Sequence, residues 1–149
     1  MKQLNIALLF TLASLSARAA DTTKSSVFIK SACEGKISST FITSLKAEVE
    51  ASQKYHVVPN LTDEGRMGEV LTIQVACSER GDMVAIATTF GKGKCFPGAY
   101  CQAGVDGSSL KSALCDSSTS VECGRTLFKT FDDYVSHITR PGASQPQSH

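Results

Sequence analysis

The chain has 149 residues, of which 42% are hydrophobic and 19% are charged, and its formal net charge at pH 7 is +1. This size and composition are typical of one globular domain. The near balance of charge excludes the strongly basic surface that nucleic-acid binders and polybasic membrane anchors use, so we expect no nucleic-acid partner. The core is expected to be mainly aliphatic, because the chain has no Trp and aromatic residues make up only 7% of it.

Residues 1–19 have the features of a secretory signal peptide. Lys2 gives a positive start, residues 4–15 are mainly apolar, and Ala17-Arg18-Ala19 fits the small-residue pattern of a cleavage site. The apolar run is shorter than the roughly 20 residues that a membrane-spanning helix requires. We therefore expect cleavage after Ala19 or Ala20, no membrane span in the mature protein, and a periplasmic or secreted location.

All six cysteines follow this predicted leader, and an even number of cysteines in an exported chain indicates disulfides. The predicted bridges are Cys33–Cys77, Cys95–Cys101 and Cys115–Cys123. Each of the last two pairs encloses a short loop, and the first pair is left to join the ends of two predicted strands. No pair has the C-x-x-C spacing of a zinc site, so we expect no metal and no cofactor. A free, reactive thiol is the remaining alternative.

Apolar periodicity predicts the secondary structure. In chain order we expect a strand at 27–33, a helix from about 38 to 52, a strand at 55–58, a hairpin of strands 70–77 and 83–90, an irregular hairpin of 100–104 and 110–115 turning at Asp106-Gly107, and a helix from 120 to about 139. Between them, the run 91–94 alternates Gly and Lys but lacks the spacing of a phosphate-binding loop, so it is predicted to be a flexible, solvated strand exit.

The first helix is the element around which the rest is organised. Its apolar residues recur every fourth position, which gives one buried stripe: Ile37, Phe41, Leu45 and Val49. Either Ser38 or Ser39 is expected to cap its N-terminus. Such a helix needs a sheet to cover its stripe.

The second helix also has a single apolar stripe: Val121, Gly124, Leu127, Phe128, Phe131, Tyr134, Val135 and Ile138. The aromatic residues in it are expected to belong to the core rather than to a ligand platform. Thr119 and Glu122 fit the pattern of a capping box. Asp132 and Asp133 are poor partners for acid–base catalysis, because adjacent helical residues do not face each other. They are expected to be solvated charges.

These elements predict an α+β fold with a mostly antiparallel sheet, of order β-α-β-β-β plus the irregular hairpin, stapled by disulfides. Both helices are expected on one face of the sheet. The other face, with Thr72, Gln74 and Ala76, is left for water or a partner. Residues 20–140 are predicted to form a single domain and residues 141–149 a disordered tail.

The stretch from Phe41 to Ser52, followed by Tyr55-His56-Val57-Val58, resembles a strand–helix–strand–hairpin module. This module is found in the N-terminal domain of periplasmic TolB and in CsgG-like export proteins. The resemblance covers about half of the mature chain, and the cysteines from Cys95 to Cys123 depart from it. It implies a small non-enzymatic module that contacts protein partners in the envelope.

No catalytic residues are predicted. His56, His137 and His149 lie in separate elements, and the sequence contains neither a G-x-S-x-G elbow nor an H-E-x-x-H zinc motif. We therefore predict a non-enzymatic protein-binding or accessory module of the cell envelope. Two alternatives remain: an exported enzyme or effector with a site around His56 or the 92–94 loop, and a secreted inhibitor that presents the loop between Cys95 and Cys101 as a preorganised wedge.

Overall fold

The computed structural model describes residues 24–59, 69–95, 101–103 and 109–140. The predicted leader and tail, residues 1–19 and 141–149, lie outside this part, so the domain boundaries stay a prediction. The elements are β1 (Ser25–Ala32), α1 (Lys36–Ala51), β2 (Tyr55–Val58), β3 (Glu69–Arg80), β4 (Met83–Cys95), β5 (Cys101–Ala103), β6 (Lys111–Asp116) and α2 (Ser120–Ile138).

The strands form one mixed sheet in the order β2-β1-β3-β4. On the side away from β3, the first half of β4 pairs with β6 and the end of β4 pairs with β5. Strand β1 runs parallel to β2 and β3, and the other pairings are antiparallel. Parallel neighbours need a crossover connection, and α1 supplies it between β1 and β2. The predicted α+β fold, with a mostly antiparallel sheet and disulfide staples, is confirmed.

Both helices cover the same face of the sheet, as predicted. Cross-strand register places Ile73 opposite Ile29 on one side and opposite Phe90 on the other, and all three are buried. The apolar stripes of α1 and α2 pack on this face in one continuous core. Burying each large aliphatic or aromatic side chain contributes roughly 1.5–3 kcal/mol, so this layer is the main source of stability.

Strand β4 is longer than predicted, and the Gly/Lys run belongs to it. Thr72 pairs with Gly91 and Val70 with Gly93, and both glycines are buried. The expectation of a flexible, solvated strand exit is therefore wrong. The Gly/Lys run is held in a strand by a distant part of the chain, because the start of β3 pairs with the whole segment.

The predicted irregular hairpin also differs in its pairing. Strands β5 and β6 each pair with β4, at successive positions along its length. The proposed turn at Asp106-Gly107 lies outside the described residues. The exposed edge of the sheet near α2 is consequently β6.

The N-terminus of α1 is capped from a distant strand. Gly35 occupies the N-cap position, and neither predicted serine caps the helix with its side chain. Instead the Glu79 carboxylate on β3 accepts hydrogen bonds from the Ser38 backbone N–H, at 3.1 Å, and from the Ser38 hydroxyl, at 2.9 Å. Gly35 has φ +107°, and a Cβ there would lie 2.3 Å from Glu79 Oε2. Only glycine allows this close approach.

We expect Glu79→Gln to lower the melting temperature at neutral pH and to have little effect in acid. Hydrogen bonds from the Ser38 backbone and then from its hydroxyl lower the pKa of Glu79. The carboxylate therefore stabilises the fold above the ordinary Glu pKa of about 4.3, and this contribution is lost as the pH falls through the lower folded-state pKa. Melting curves between neutral pH and strongly acidic pH measure the effect. Glu34→Gln, at an exposed carboxylate, is the control, and parallel pH profiles for Glu79→Gln and the wild type would contradict the cap.

Helix α2 begins at Ser120, but its predicted capping box is wrong. Thr119 has nearly helical backbone angles, φ −104° and ψ −3°, and its side chain makes no bond to the helix. Asp116 Oδ1 accepts the backbone N–H groups of Ser118 and Thr119, each at 2.8 Å. The Ser118 hydroxyl, followed by the Thr119 backbone and hydroxyl, lowers the pKa of Asp116 to about 2. Glu122 pairs with Arg125 instead.

The first turn of α2 is also rotated relative to the prediction. Ser120 is buried and Val121 is 48% exposed. The buried positions 120, 124, 127, 131 and 135 form the observed stripe, so Ser120 takes the place expected for Val121. The Val121 carbonyl instead accepts a hydrogen bond of 2.9 Å from the Ser44 hydroxyl on α1.

Gly124 allows α2 to pack closely against α1, and we expect Gly124→Ala to be destabilising. A Cβ there would lie 2.8 Å from Ser44 Cβ and 2.9 Å from the Leu45 backbone nitrogen. Alanine gains about 1 kcal/mol in helix propensity, whereas overpacking costs about 1–3 kcal/mol. A net loss of about 1 kcal/mol is expected in urea denaturation. Lys129→Ala, on the exposed side of α2, is the control; a more stable Gly124→Ala protein would contradict this close contact.

Candidate functional site

The face of the sheet that points away from the helices carries mainly small side chains, and half of those at the β6 end are apolar. We call it the open face, and its described members at the β6 end are Lys30, Ala32, Gln74, Ala76, Ser78, Ala85, Ala87, Thr89, Ser112 and Leu114. Three large apolar side chains are exposed there or beside it: Met83 by 40%, Leu110 by 60% and Leu114 by 71%. Exposed leucines grouped around an alanine surface are typical of a contact surface.

The open face was predicted from alternation in β3 alone. The exposed leucines at 110 and 114 were missed, because the sequence gives weak strand signals there and no face could be assigned. Their position follows from the β4–β6 register, in which Leu114 lies opposite Ala85 and Ser112 opposite Ala87.

The outer edge of β6 carries backbone groups that pair with no strand among the described residues. The Phe90 N–H donates to Ser109 Oγ at 2.7 Å, and Ser109 Oγ donates to the Phe90 carbonyl at 2.8 Å. The polar groups of Phe90 therefore point toward the β6 side of β4, as do those of alternate residues along β4.

This alternation fixes which groups of β6 point outward. Lys111, Ala113 and Cys115 lie opposite the β4 residues whose polar groups face β6, and so bond inward. The N–H and C=O groups of Ser112 and Leu114 consequently point to the outer edge. Within the described part of the chain, no strand pairs with that edge.

The exposed edge is short and held at both ends. At one end the Asp116 N–H, which also points outward, donates to Thr119 Oγ1 at 3.0 Å. The Cys115–Cys123 disulfide joins β6 to the first turns of α2. At the other end, the buried Ser109 closes the gap beside Phe90. The edge is therefore a preformed segment rather than a loose one.

Two of the three predicted disulfides are present, Cys33–Cys77 and Cys115–Cys123. The side chains of Cys95 and Cys101 lie outside the described residues, although backbone register places these two residues opposite each other in β4 and β5. The third bridge therefore stays a prediction. Disulfides of this kind are typical of an oxidising, extracytoplasmic compartment.

The residues considered for catalysis do not converge. His56 lies on β2, at the opposite edge of the sheet from β6, with its Nε2 3.2 Å from Ser26 Oγ on the open-face side. Lys92 lies three strands away on β4 and points to the helix side. His137 is exposed near the end of α2. The tail histidine and the loop between Cys95 and Cys101 lie outside the described residues.

The described segments contain neither a cluster of metal ligands nor a membrane-spanning helix. No group of three or more His, Cys, Asp or Glu side chains in them is placed to hold a metal ion. No helix of these segments is both long and apolar enough to cross a membrane.

Asp132 is not the solvated charge that was predicted. Its carboxylate accepts a hydrogen bond of 2.7 Å from the Tyr55 hydroxyl and pairs with Lys54 Nζ at 2.8 Å. Burial acts to raise the pKa of Asp132, but the bonds from Lys54 and Tyr55 outweigh it and lower the pKa overall. Burial, and then Asp132, raises the pKa of Tyr55. This cluster ties α2 to the start of β2, which is a structural role.

No protein-family model matches the chain, and no curated protein sequence matches it. Several solved structures are similar in part, and two of them are bacterial proteins. The rare lipoprotein B from Shewanella oneidensis is 8% identical, with a TM-score of 0.35, covering 77% of this chain and 99% of that chain. A dodecameric PelC from Paraburkholderia phytofirmans is 14% identical, with a TM-score of 0.30, covering 73% and 87%. Such low scores assign neither family nor function.

Proposed function

We propose that this protein is an extracytoplasmic, disulfide-bonded binding module of the cell envelope. It holds an extended segment of a protein partner against the outer edge of β6. Two features of the edge together carry this proposal. The N–H and C=O groups of Ser112 and Leu114 point outward, and the Leu114 side chain beside them is exposed. An added strand is held by main-chain bonds, and alternate side chains supply specificity.

The composition of β6 favours pairing with another strand, because the usual features that block such pairing are missing from the middle of β6. Natural edge strands are usually blocked by charges, proline or bulges. Here the middle of the strand is Ser112-Ala113-Leu114, without a charge, and Lys111 and Asp116 stand only at its ends. A strand added beside it can place apolar side chains over Leu114 and, across the open face, toward Met83.

The two disulfide bonds support the extracytoplasmic location in this proposal. Two bridges hold the described fold, and the chain begins with a predicted leader. Fractionation followed by thiol alkylation tests this point. We expect the protein outside the cytoplasm with its cysteines protected from alkylation; a cytoplasmic protein with reactive thiols would contradict it.

Crosslinking in intact cells tests the binding edge. A photoreactive amino acid at Leu114 is expected to crosslink to one defined protein, whereas the same group at Lys129, on the exposed side of α2, is not. A second change then separates strand addition from chance contact. Ser112→Pro removes one outward N–H and leaves the β4–β6 bonds in place, and Ser112→Ala keeps that N–H.

The crosslink is expected to be lost with Ser112→Pro and kept with Ser112→Ala. Equal crosslinking in both proteins would contradict strand addition at β6. Recovery of unrelated proteins at both probe positions would contradict a specific partner altogether.

A further inference from the structure

A separate cleft opens on the other side of the sheet, between α2 and the β4–β6 pair. Its volume is about 280 Å³. Its wall is mainly apolar and includes Phe41, Ile86, Ala113 and Leu127. An apolar cavity of roughly 150 Å³ accommodates benzene, so this cleft has room for about ten non-hydrogen atoms.

One polar group in the wall of the cleft has no partner among the described residues. Thr88 is 1% exposed and lines the cleft, and no described residue forms a hydrogen bond with its hydroxyl. A buried hydroxyl without a partner costs free energy, so a native protein rarely keeps one without a use. Because the hydroxyl is itself shielded from solvent, it donates to an oxygen atom in the cleft after rotation of the Thr88 side chain to another rotamer.

A lysine lies directly opposite Thr88 in the sheet. Lys111 is the cross-strand partner of Thr88, so both side chains leave the sheet on the helix side, and Lys111 also lines the cleft. Directly opposed residues have Cβ atoms roughly 5 Å apart. Lys111 has no ion-pair partner among the described residues, whereas Glu122, the acidic residue of the cleft, is engaged by Arg125.

We infer that this cleft binds a small amphipathic monocarboxylate. The apolar body lies between Phe41, Ile86 and Leu127, and the carboxylate accepts a hydrogen bond from the Thr88 hydroxyl and pairs with the Lys111 ammonium. A carboxylate fits better than a neutral oxygen group, because two donors converge and one of them is charged. The cleft adjoins the β6 outer edge, since Ser112 lines both, but the proposed ligand contacts involve neither the Ser112 nor the Leu114 backbone.

Octanoate, with about ten non-hydrogen atoms, is a suitable probe. Calorimetric titration of the oxidised protein is expected to give saturable binding with a dissociation constant on the order of 0.1 mM. Methyl NMR signals of Ile86, Ala113 and Leu127 should shift with the same constant. Octanol, which has the same tail without the charge, is expected to bind at least about fivefold more weakly.

Two matched pairs of variants assign the polar contacts. Thr88→Val should weaken octanoate binding about tenfold, whereas Thr72→Val, at the other buried hydroxyl without a partner, should not. Thr72 is a suitable control because it faces away from the helices and therefore from the cleft. Both variants should raise the melting temperature, since each removes an unsatisfied buried hydroxyl. Lys111→Met should weaken binding about fivefold, and Lys129→Met should leave it unchanged.

These measurements leave no neutral outcome. Absence of saturable binding at millimolar octanoate would overturn the inference. Equal affinity for octanol, or an unchanged affinity in Thr88→Val and Lys111→Met, would show apolar filling alone and would overturn the carboxylate site. Failure here leaves the β6 proposal intact, because the crosslinking test depends on the outward backbone groups of Ser112 and Leu114 and needs no ligand in the cleft.

Discussion

Replacing Cys33 and Cys77 together by alanine is expected to lower the free energy of unfolding by about 4 kcal/mol. The bridge joins residues 44 positions apart, and a long closed loop restricts the unfolded chain strongly. A small domain has a total stability of about 5–15 kcal/mol, so this loss is a large fraction of it. Both cysteines also pack against the main core, Cys33 directly after β1 and Cys77 within β3.

The second bridge provides the matched comparison. Cys115 and Cys123 are separated by only 8 positions, so the same entropy argument gives a loss of about 2.5 kcal/mol when both are replaced. Urea denaturation followed by circular dichroism measures both proteins. An equal loss in the two, or a greater loss for the short loop, would contradict loop entropy as the source of stabilisation.

The second large effect is expected for Phe131→Ala, with a loss of about 3–5 kcal/mol. Phe131 is fully buried on α2, between the helix and the sheet. Its ring centroid lies 5.3 Å from that of Tyr55 and 5.6 Å from that of Phe90. Alanine therefore removes two aromatic contacts and leaves a cavity that the rigid strands cannot close.

Phe128 is the control for this prediction. It lies on the same helix but is only partly buried, and its ring meets Tyr55 at a centroid distance of 6.2 Å. Phe128→Ala should cost about half as much as Phe131→Ala in the same denaturation experiment. A larger loss for Phe128→Ala would place the centre of the core elsewhere.

Local patterns were sufficient for much of the fold. Strand β2 was predicted at its observed bounds, because Tyr55-His56-Val57-Val58 is a compact β-forming run that Pro59 ends. The Cys33–Cys77 bridge followed from alternation, which put both residues on the core face near strand ends. Helix α1 was predicted because its apolar residues recur at every fourth position.

Features that depend on distant residues were not predictable. The cap of α1 comes from Glu79, which is 41 positions from Ser38, so no local capping pattern could reveal it. Asp132 was assigned to solvent from its neighbours on the helix, whereas its partners Lys54 and Tyr55 lie almost 80 positions away. The extension of β4 through Gly91 and Gly93 likewise depends on pairing with β3.

The candidate site divides in the same way. Alternation in β3 predicted a face left open for water or a partner. It could not show that β6 pairs with the first half of β4, nor that Ser112 and Leu114 point their backbone groups outward. That assignment needed the Ser109–Phe90 bonds, which set the direction of the polar groups in β4.

Amide hydrogen exchange within β6 tests the binding edge most directly. In the isolated protein we expect fast exchange at Ser112 and Leu114, whose N–H groups point outward, and slow exchange at Ala113, whose N–H group bonds to β4. In the complex with the crosslinked partner, the Ser112 and Leu114 amides should become protected while Ala113 is unchanged. Continued fast exchange at both outward amides, with new protection elsewhere on the protein, would contradict strand addition at β6.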